Sequence, residues 1–182
     1  MRLFIGIPLP SATRDVLLAL TMRLRAHGDP LRWSAVEGWH ITLQFLGAST
    51  PQQCAAVIQA LSALRAAPFS LELAAPDVFD RAGVFHVGVR LSPALTALQQ
   101  SVVAATQPCG YVPEARPYRP HITLARSKTG PAPLRALQAR LGTPPSFAPF
   151  RVTEFLLYES FLRSGGSHYE VRAHFPLAPA VA

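Results

Sequence analysis

Two short stretches of the chain alternate polar and apolar residues in the same order. The first runs from His40 to Leu43 and the second, 81 positions later, from His121 to Leu124; both read His-Ile-Thr-Leu. A period of two predicts a β-strand, in which successive side chains point to opposite faces of a sheet. Each stretch should therefore present a histidine and a threonine on one face, with aliphatic side chains behind them.

The rest of the pattern predicts further strands and helices. Apolar runs bounded by turn residues predict strands over residues 3–7, 69–73 and 84–91, a short strand at 78–79, and a final hairpin of 150–160 and 168–175 that turns at 164–167. Apolar residues spaced by three or four predict helices that begin at Ser11, Thr50-Pro51, Ser92 and about Pro133. The first three are expected to be capped by their hydroxyl side chains. Residues 177–182 should fray.

The order of these elements recurs at a constant offset of 81 residues. The shift superimposes Phe4 on Phe85 and Ser11 on Ser92, as well as one motif on the other. This recurrence predicts an internal duplication. A first repeat over about residues 1–80 would carry the motif at 40–43, and a second over about 81–182 would carry it at 121–124. We expect one bilobal domain, whose pseudo-two-fold axis brings both histidines to a shared cleft.

The composition is that of a folded protein with a basic surface. Of the 182 residues 49% are hydrophobic, and the net charge of +7 comes almost entirely from arginine. Such a charge favours phosphate-rich partners such as RNA. A general compositional preference for Arg, Ala, Pro and Leu would give the same excess, so charge alone does not decide. No apolar run reaches 18 residues, and no membrane association is expected.

The two cysteines, Cys54 and Cys109, form neither a CxxC pair nor a disulfide framework. We interpret both as small core side chains, which fits a reducing compartment. The first residues resemble a secretion signal only superficially, because their apolar run is short and interrupted by Pro8. The sequence therefore predicts a cytoplasmic location.

Two imidazoles that face one cleft form a natural acid–base pair. With unperturbed pKa values of about 6.5, one ring can accept a proton while the other donates one. Thr42 and Thr123 can donate hydroxyl hydrogen bonds to a phosphate held between them. A single motif of this kind usually marks a structural histidine, whereas a matched pair at equal positions of a repeat is much more specific.

The sequence argues against other kinds of site. No His-x3-His or cysteine pair suits zinc, and no G-x-S-x-G suits a serine hydrolase, so neither a metal nor another cofactor is expected. The remaining histidines lack a threonine two positions later and are predicted to be structural or exposed. They are His27, His86, His168 and His174.

The paired motifs resemble the signature of the 2H phosphoesterase superfamily, specifically its RNA 2′,3′-cyclic phosphodiesterase family, historically called 2′-5′ RNA ligases. The likeness extends along nearly the whole chain, at residues 2–5, 31–33, 40–47, 119–126 and 157–160 and at Tyr169. It implies an α+β fold with two pseudo-symmetric lobes of antiparallel sheet and helices around a central cleft. It also implies that RNA 2′,3′-cyclic phosphate ends, on tRNA fragments or oligonucleotides, are opened to 2′-phosphates without metal or ATP. Some members also ligate tRNA halves in the reverse sense.

The resemblance also implies roles for individual residues. His40 would donate a proton to the departing O3′, and His121 would accept one from the attacking water; the sequence itself does not separate these roles. Thr42 and Thr123 would hold the phosphate.

Other positions are implied or inferred to lie near the nucleotide. The resemblance implies that Phe45 and Arg126 lie near the nucleotide, although a regular strand would point both side chains away from the histidine face. Phe45 would then be a core residue, and Arg126 would enter the cleft only where its strand ends or bulges; otherwise it is a solvated charge at the end of the strand. Tyr118 and Arg119, just before His121, are candidates for base stacking and backbone contact.

Two alternatives stay open. One is a related enzyme that acts on another cyclic or 2′-5′ phosphodiester, because the motif supplies chemistry but no base selection. The other is a non-catalytic RNA-binding module that uses the basic cleft. The protein is expected to be a monomer, since the repeat already supplies the symmetry.

Overall fold

The computed structural model describes residues 1–26, 28–163 and 166–178, and within them the chain forms ten strands and four α-helices. The strands are β1 (Arg2–Pro8), β2 (Leu31–Trp33), β3 (His40–Ala48), β4 (Phe69–Leu71), β5 (Leu73–Phe79), β6 (Val84–Val89), β7 (His121–Ser127), β8 (Phe150–Val152), β9 (Glu154–Arg163) and β10 (Gly166–Pro176). The helices are α1 (Ser11–Leu24), α2 (Pro51–Ser62), α3 (Pro93–Thr106) and α4 (Ala132–Arg140).

The strands form two antiparallel four-stranded sheets and a short two-stranded one. Sheet A has the order β10-β9-β1-β3, sheet B has the order β2-β7-β6-β5, and β4 pairs with β8. The motif strands β3 and β7 belong to different sheets, and they contact each other. Their aliphatic residues, Ile41 with Leu43 and Ile122 with Leu124, enter one common hydrophobic core. The opposite faces of the two strands are thereby left for the polar residues of the motifs.

The 81-residue offset also relates the elements of the structure. After the shift, the starts of β1, α1, β3, α2, β4 and β5 agree to within one residue with those of β6, α3, β7, α4, β8 and β9. Strand β4 pairs with β8 so that Ser70 lies opposite Arg151, its own equivalent. Each four-stranded sheet contains strands from both halves of the chain. We therefore propose that the two repeats form one domain, because neither half supplies a complete sheet.

The helix starts follow the predicted capping chemistry in two of three cases. At α2 the Thr50 hydroxyl accepts from the Gln53 backbone N–H while the Gln53 side chain accepts from that of Thr50. At α3 the Ser92 hydroxyl accepts from the Leu95 N–H. The predicted cap at Ser11 is wrong: Ser11 is the first helical residue, and its cap position is Pro10, which has no side-chain hydrogen bond to offer.

The predicted fraying after residue 176 is wrong for the part of the tail that the structure describes. Leu177 is buried, and its N–H donates to the carbonyl oxygen of Thr153. Ala178 forms a β-bridge with Ala66. An apolar side chain and two backbone contacts therefore hold this segment. Residues 179–182, the turn residues Ser164 and Gly165, and His27 lie outside the described residues.

Candidate active site

His40 and His121 are held by the same local device on the two sheets. The Nδ1 atom of His40 lies 2.7 Å from the carbonyl oxygen of Gly38, and that of His121 lies 2.8 Å from the carbonyl oxygen of Arg119. A carbonyl oxygen only accepts, so the hydrogen of each neutral ring is on Nδ1. In both rings Nε2 is then the nitrogen left for proton transfer.

Each histidine shares its strand face with the threonine of its motif, as the alternation predicts. Thr42 Oγ1 lies 3.1 Å from His40 Nε2, and both residues are half-buried. His121 and Thr123 are half-buried as well, while the residues between and behind them are fully buried. Both strands therefore present the same imidazole and hydroxyl pair.

A β-bulge in each motif strand changes the strand parity at the same place. In β3, Gln44 pairs with Ile5 and Thr42 with Gly6, so that Leu43 is the extra residue. In β7, Ala125 pairs with Phe85 and Thr123 with His86, so that Leu124 is extra. A bulge reverses the direction in which later side chains point.

The bulges settle where the next two candidates lie. Phe45 is 54% exposed and stacks parallel to the ring of Phe4, with 6.3 Å between centroids, so the alternative of a core Phe45 is wrong. Arg126 is exposed, and its charge helps to lower the pKa of His121. Each therefore lies on the histidine side of its sheet. The bulge that would bring Arg126 to the histidine side is thus present, whereas a regular strand would have pointed Phe45 into the core.

Aromatic rings surround His40 in the first half of the site. Phe4 packs against it with 4.5 Å between ring centroids, and Tyr169 meets it edge to face at 5.3 Å. Tyr158 stacks on Phe4, with 4.8 Å between ring centroids. Burial raises the pKa of Tyr158 to about 12, so its hydroxyl stays protonated at neutral pH. This apolar wall explains why the His40 ring is strongly desolvated.

A third imidazole, His86, lies beside His121 in the second half of the site. It is only 4% exposed, and its centroid is 5.4 Å from that of His121. Its Nδ1 donates to the carbonyl oxygen of Asp77, and Phe79 packs on it at 3.7 Å. We predicted His86 to be structural or exposed, and its position next to His121 was missed. The repeat offset aligns it with Ile5, so no sequence signal pointed to it.

The corresponding place in the first half is occupied by Gly6. Gly6 pairs with Thr42 as His86 pairs with Thr123. A Cβ atom on Gly6 would lie 3.0 Å from the carbonyl oxygen of Ile41 and 3.3 Å from His40 Cδ2. The absence of a side chain therefore makes room for the His40 ring.

Burial keeps the imidazoles of the site neutral. Burial, with a smaller contribution from the nearby charge of His121, lowers the pKa of His40 from 6.5 to about 4. Burial also lowers the pKa of His121, helped by the charges of Arg126 and Arg119. His86 is lowered to a pKa of about 4, first by burial and then by His121. The effect of the His121 charge on the pKa of His40 places the two rings within electrostatic range of each other.

Tyr118 connects the two halves of the site, and Arg119 lies in the second half. The Tyr118 hydroxyl donates a 2.9 Å hydrogen bond to the carbonyl oxygen of Thr42, and its half-buried ring packs against the core. Burial raises its pKa. The Arg119 guanidinium lies over the Phe79 ring, 4.7 Å from the centroid. Tyr118 thus braces the loop before His121, and base stacking by this residue stays a prediction.

Among the described residues, no group of three or more His, Cys, Asp or Glu side chains is placed to hold a metal ion. In the same part of the chain no helix is long and apolar enough to cross a membrane. His168 and His174 are exposed, as predicted. Cys54 is buried and Cys109 half-buried, and both are free thiols.

The fold and the paired His-x-Thr strands are those of a two-histidine phosphoesterase. Residues 13–160 match the 2′-5′ RNA ligase superfamily. The RNA 2′,3′-cyclic phosphodiesterase of Geobacillus stearothermophilus is 36% identical over 188 residues, which cover 97% of this chain and 57% of that relative. That of Escherichia coli is 30% identical over 172 residues, with 92% of each chain covered. The chain therefore belongs to the 2′-5′ RNA ligase superfamily.

A solved structure supports the same assignment at the level of the fold. The crystal structure of E. coli LigT complexed with 3′-AMP superimposes with a TM-score of 0.81 at 28% identity, over 97% of each chain. The predicted family and the predicted α+β fold are thus confirmed. The present chain spans little more than half the length of the Geobacillus relative, and nearly all of LigT.

Proposed function

We propose that the protein hydrolyses RNA 2′,3′-cyclic phosphate ends to 2′-phosphates, with His40 and His121 as the acid–base pair and no metal. One observation supports this most strongly. Each of the two rings has its Nδ1 tied to the carbonyl oxygen two residues earlier, which leaves Nε2 for proton transfer, and the charge of one ring lowers the pKa of the other. The relatives named as RNA 2′,3′-cyclic phosphodiesterases supply the substrate class.

In this reaction the neutral His121 Nε2 accepts a proton from water as the water oxygen bonds to phosphorus. The bond between phosphorus and O3′ breaks, and protonated His40 gives its proton to O3′. The product carries a 2′-phosphate and a free 3′-hydroxyl. The two proton transfers each contribute about 10²–10⁴-fold in rate. The assignment of donor and acceptor follows the family likeness.

Substrate binding causes His40 to take up the proton that it needs as the acid. In the free protein both rings are neutral at pH 7, because burial lowers both pKa values. A phosphate anion between them favours the charged form of either ring and raises its pKa. Proton uptake is therefore coupled to binding of the anionic end, so that the acid–base pair is completed in the complex.

The other candidates surround the phosphate in this proposal. Thr42 and Thr123 donate hydroxyl hydrogen bonds to its non-bridging oxygens. Arg126 adds positive charge on the substrate side of His121. Phe45, exposed and stacked on Phe4, offers an aromatic face to the terminal base. Arg119 adds positive charge beside His121.

Product analysis tests the proposal. An oligonucleotide that ends in a 2′,3′-cyclic phosphate is incubated with the protein in EDTA, and the phosphorus NMR spectrum of the product distinguishes 2′- from 3′-monoesters. We expect complete conversion to the 2′-phosphate. A 3′-phosphate, or turnover only after a divalent metal is added, would contradict the mechanism.

Two further activities are kept as candidates. The name of the superfamily supports 2′-5′ ligation. In that reaction a 5′-hydroxyl oxygen attacks phosphorus in place of water and gives up its proton, the bond between phosphorus and O3′ breaks, and O3′ takes up a proton to leave a 2′-5′ phosphodiester and a free 3′-hydroxyl. A panel of other cyclic and 2′-5′ nucleotides tests the substrate alternative. Salt-sensitive RNA binding without turnover would instead favour a binding module.

A cytoplasmic location and a monomeric state stay predictions, and the two free cysteines support the cytoplasmic location.

A further inference from the structure

Two arginines lie side by side at the edge of sheet B, beyond His121. In the pairing of β2 with β7, Arg32 is the direct cross-strand partner of Arg126. Direct partners in an antiparallel pair project from the same face, with their Cβ atoms about 5 Å apart. Leu31 and Trp33, which flank Arg32, pack against the core on the opposite face. Arg32 and Arg126 are therefore both exposed on the histidine side of the sheet.

Among the described residues, no acidic side chain forms an ion pair with either arginine of this pair. Like charges directly opposite each other in a sheet are destabilising. An anion between the two guanidinium groups removes the repulsion, since planar forks bind phosphate oxygens in pairs.

The position of the pair fits a second phosphate of the substrate. Arg126 lies beyond Thr123 along β7. Because Leu124 is the extra residue of the bulge, their partners on β6, Val84 and His86, are only two residues apart, which corresponds to about 7 Å at the ordinary rise of a strand. That separation suits the neighbouring phosphodiester of a bound strand when the terminal phosphate lies at His121 and Thr123. Arg32 is further out still, on the edge strand of the sheet.

We propose that Arg32 and Arg126 together form a phosphate clamp for the internucleotide phosphodiester next to the cyclic end. The clamp makes an oligonucleotide, and not a mononucleotide, the preferred substrate. This inference rests on the proposed function, because the terminal phosphate must be at the paired histidines. Arg32 should therefore contribute to the turnover of the oligonucleotide only, because only that substrate has the second phosphate.

The test compares two substrates that share the same terminal nucleotide. One is the nucleoside 2′,3′-cyclic monophosphate, and the other is an RNA oligonucleotide with that cyclic end. For Arg32→Ala, kcat/KM on the oligonucleotide should fall about tenfold or more, as for the loss of a hydrogen bond to a charged group, while the mononucleotide value falls much less. The salt dependence of kcat/KM on the oligonucleotide should also weaken, by about 0.7 in log–log slope.

A matched control and a stability measurement separate the clamp from a general effect of charge. Arg65→Ala removes an exposed arginine that follows α2 and lies outside the sheet, and kcat/KM should stay unchanged on both substrates. Arg32→Glu should lower oligonucleotide turnover further and yet raise Tm, because it replaces a like-charge pair by an ion pair. Equal losses on both substrates, or no loss on either, would overturn the clamp.

Failure of the proposed function itself would look different. It would show as a wild-type protein that turns over neither substrate. The clamp would then be judged by fluorescence anisotropy with a labelled RNA oligonucleotide. Weaker binding in Arg32→Ala than in Arg65→Ala would support it, and equal Kd values in the two variants would overturn it.

Discussion

The Tyr118 hydroxyl group donates a hydrogen bond to the backbone carbonyl oxygen of Thr42, 2.9 Å away. This bond joins the loop that precedes His121 to the strand that carries His40, so it connects the two halves of the site. The two residues are 76 positions apart in the sequence. Thr42 belongs to the first motif, and Tyr118 lies three residues before His121 of the second. The relative position of the two histidines therefore depends in part on this hydroxyl.

Removal of the Tyr118 hydroxyl should loosen the site. We expect Tyr118→Phe to lower the free energy of unfolding by about 0.5–1.5 kcal/mol, since one net hydrogen bond is lost, and to lower kcat as well. Tyr111→Phe is the control, because it removes a similar bond, 2.8 Å to the Ser49 hydroxyl, outside the site. Denaturation and steady-state kinetics measure both effects. Equal kcat values in the two variants would argue against a brace.

A second prediction concerns the pH dependence of the reaction. The pKa values of His40 and His121 are both lowered from 6.5, so the bell-shaped profile of kcat/KM, which reports the free enzyme, should have its optimum below pH 6.5. The bound phosphate raises these pKa values, so the optimum of kcat should lie at higher pH. Profiles of both parameters on one substrate check this. Optima in the reverse order would contradict the electrostatic argument.

A third prediction follows from the burial of His86. Its pKa is lowered from 6.5 to about 4, so between these values the unfolded chain binds a proton that the folded protein does not. Stability should therefore fall as pH decreases through this window, and it should fall less steeply in His86→Phe. The Phe ring also preserves an aromatic contact with His121, so His86→Phe should retain more activity than His86→Ala. Thermal melts from pH 7 to pH 4 test the slope; an unchanged slope would count against a buried neutral His86.

A fourth prediction concerns the room beside His40. In Gly6→Ala the new Cβ atom would lie too close to the carbonyl oxygen of Ile41 and to His40 Cδ2, so the ring must shift and kcat should fall. Gly88→Ala is the matched control, because Gly88 pairs with His121 and a Cβ there meets its nearest neighbour at an ordinary 3.4 Å. Kinetics of both variants give the comparison. A larger loss in Gly88→Ala would refute this account of Gly6.

Local patterns in the sequence predicted much of the fold. The two motif strands, the capping of α2 and α3 and most of the final hairpin follow from periodicity and side-chain chemistry that act over a few residues. The predicted hairpin strand 150–160 was too long, because residues 150–152 form β8 and pair with β4. The cap at Ser11 was mispredicted because a serine at a helix start can stand one position inside the helix. The order of residues 177 and 178 was mispredicted because their contacts with Thr153 and Ala66 are long-range.

Prediction of the candidate site was likewise limited by contacts between residues that are distant in the sequence. Pairing of the two motifs could be inferred from their repetition, but the bulges at Leu43 and Leu124 depend on pairing with β1 and β6 and are invisible in a single strand. For that reason alternation alone placed Phe45 in the core, whereas the bulge that brings Arg126 to the histidine side was one of two open alternatives. His86 was missed because its partner His121 belongs to the neighbouring strand, and only the register of the sheet brings them together.

The central claim is that two histidines from different sheets act together on one phosphate. It is tested most directly by the turnover of a cyclic-phosphate oligonucleotide by His40→Ala, His121→Ala and the exposed-site control His168→Ala. We expect each of the first two variants to remain folded by circular dichroism and to lose at least about 10²-fold in kcat, as for the loss of a general acid or base. The control should keep wild-type activity. Full activity in either His40→Ala or His121→Ala would contradict the account.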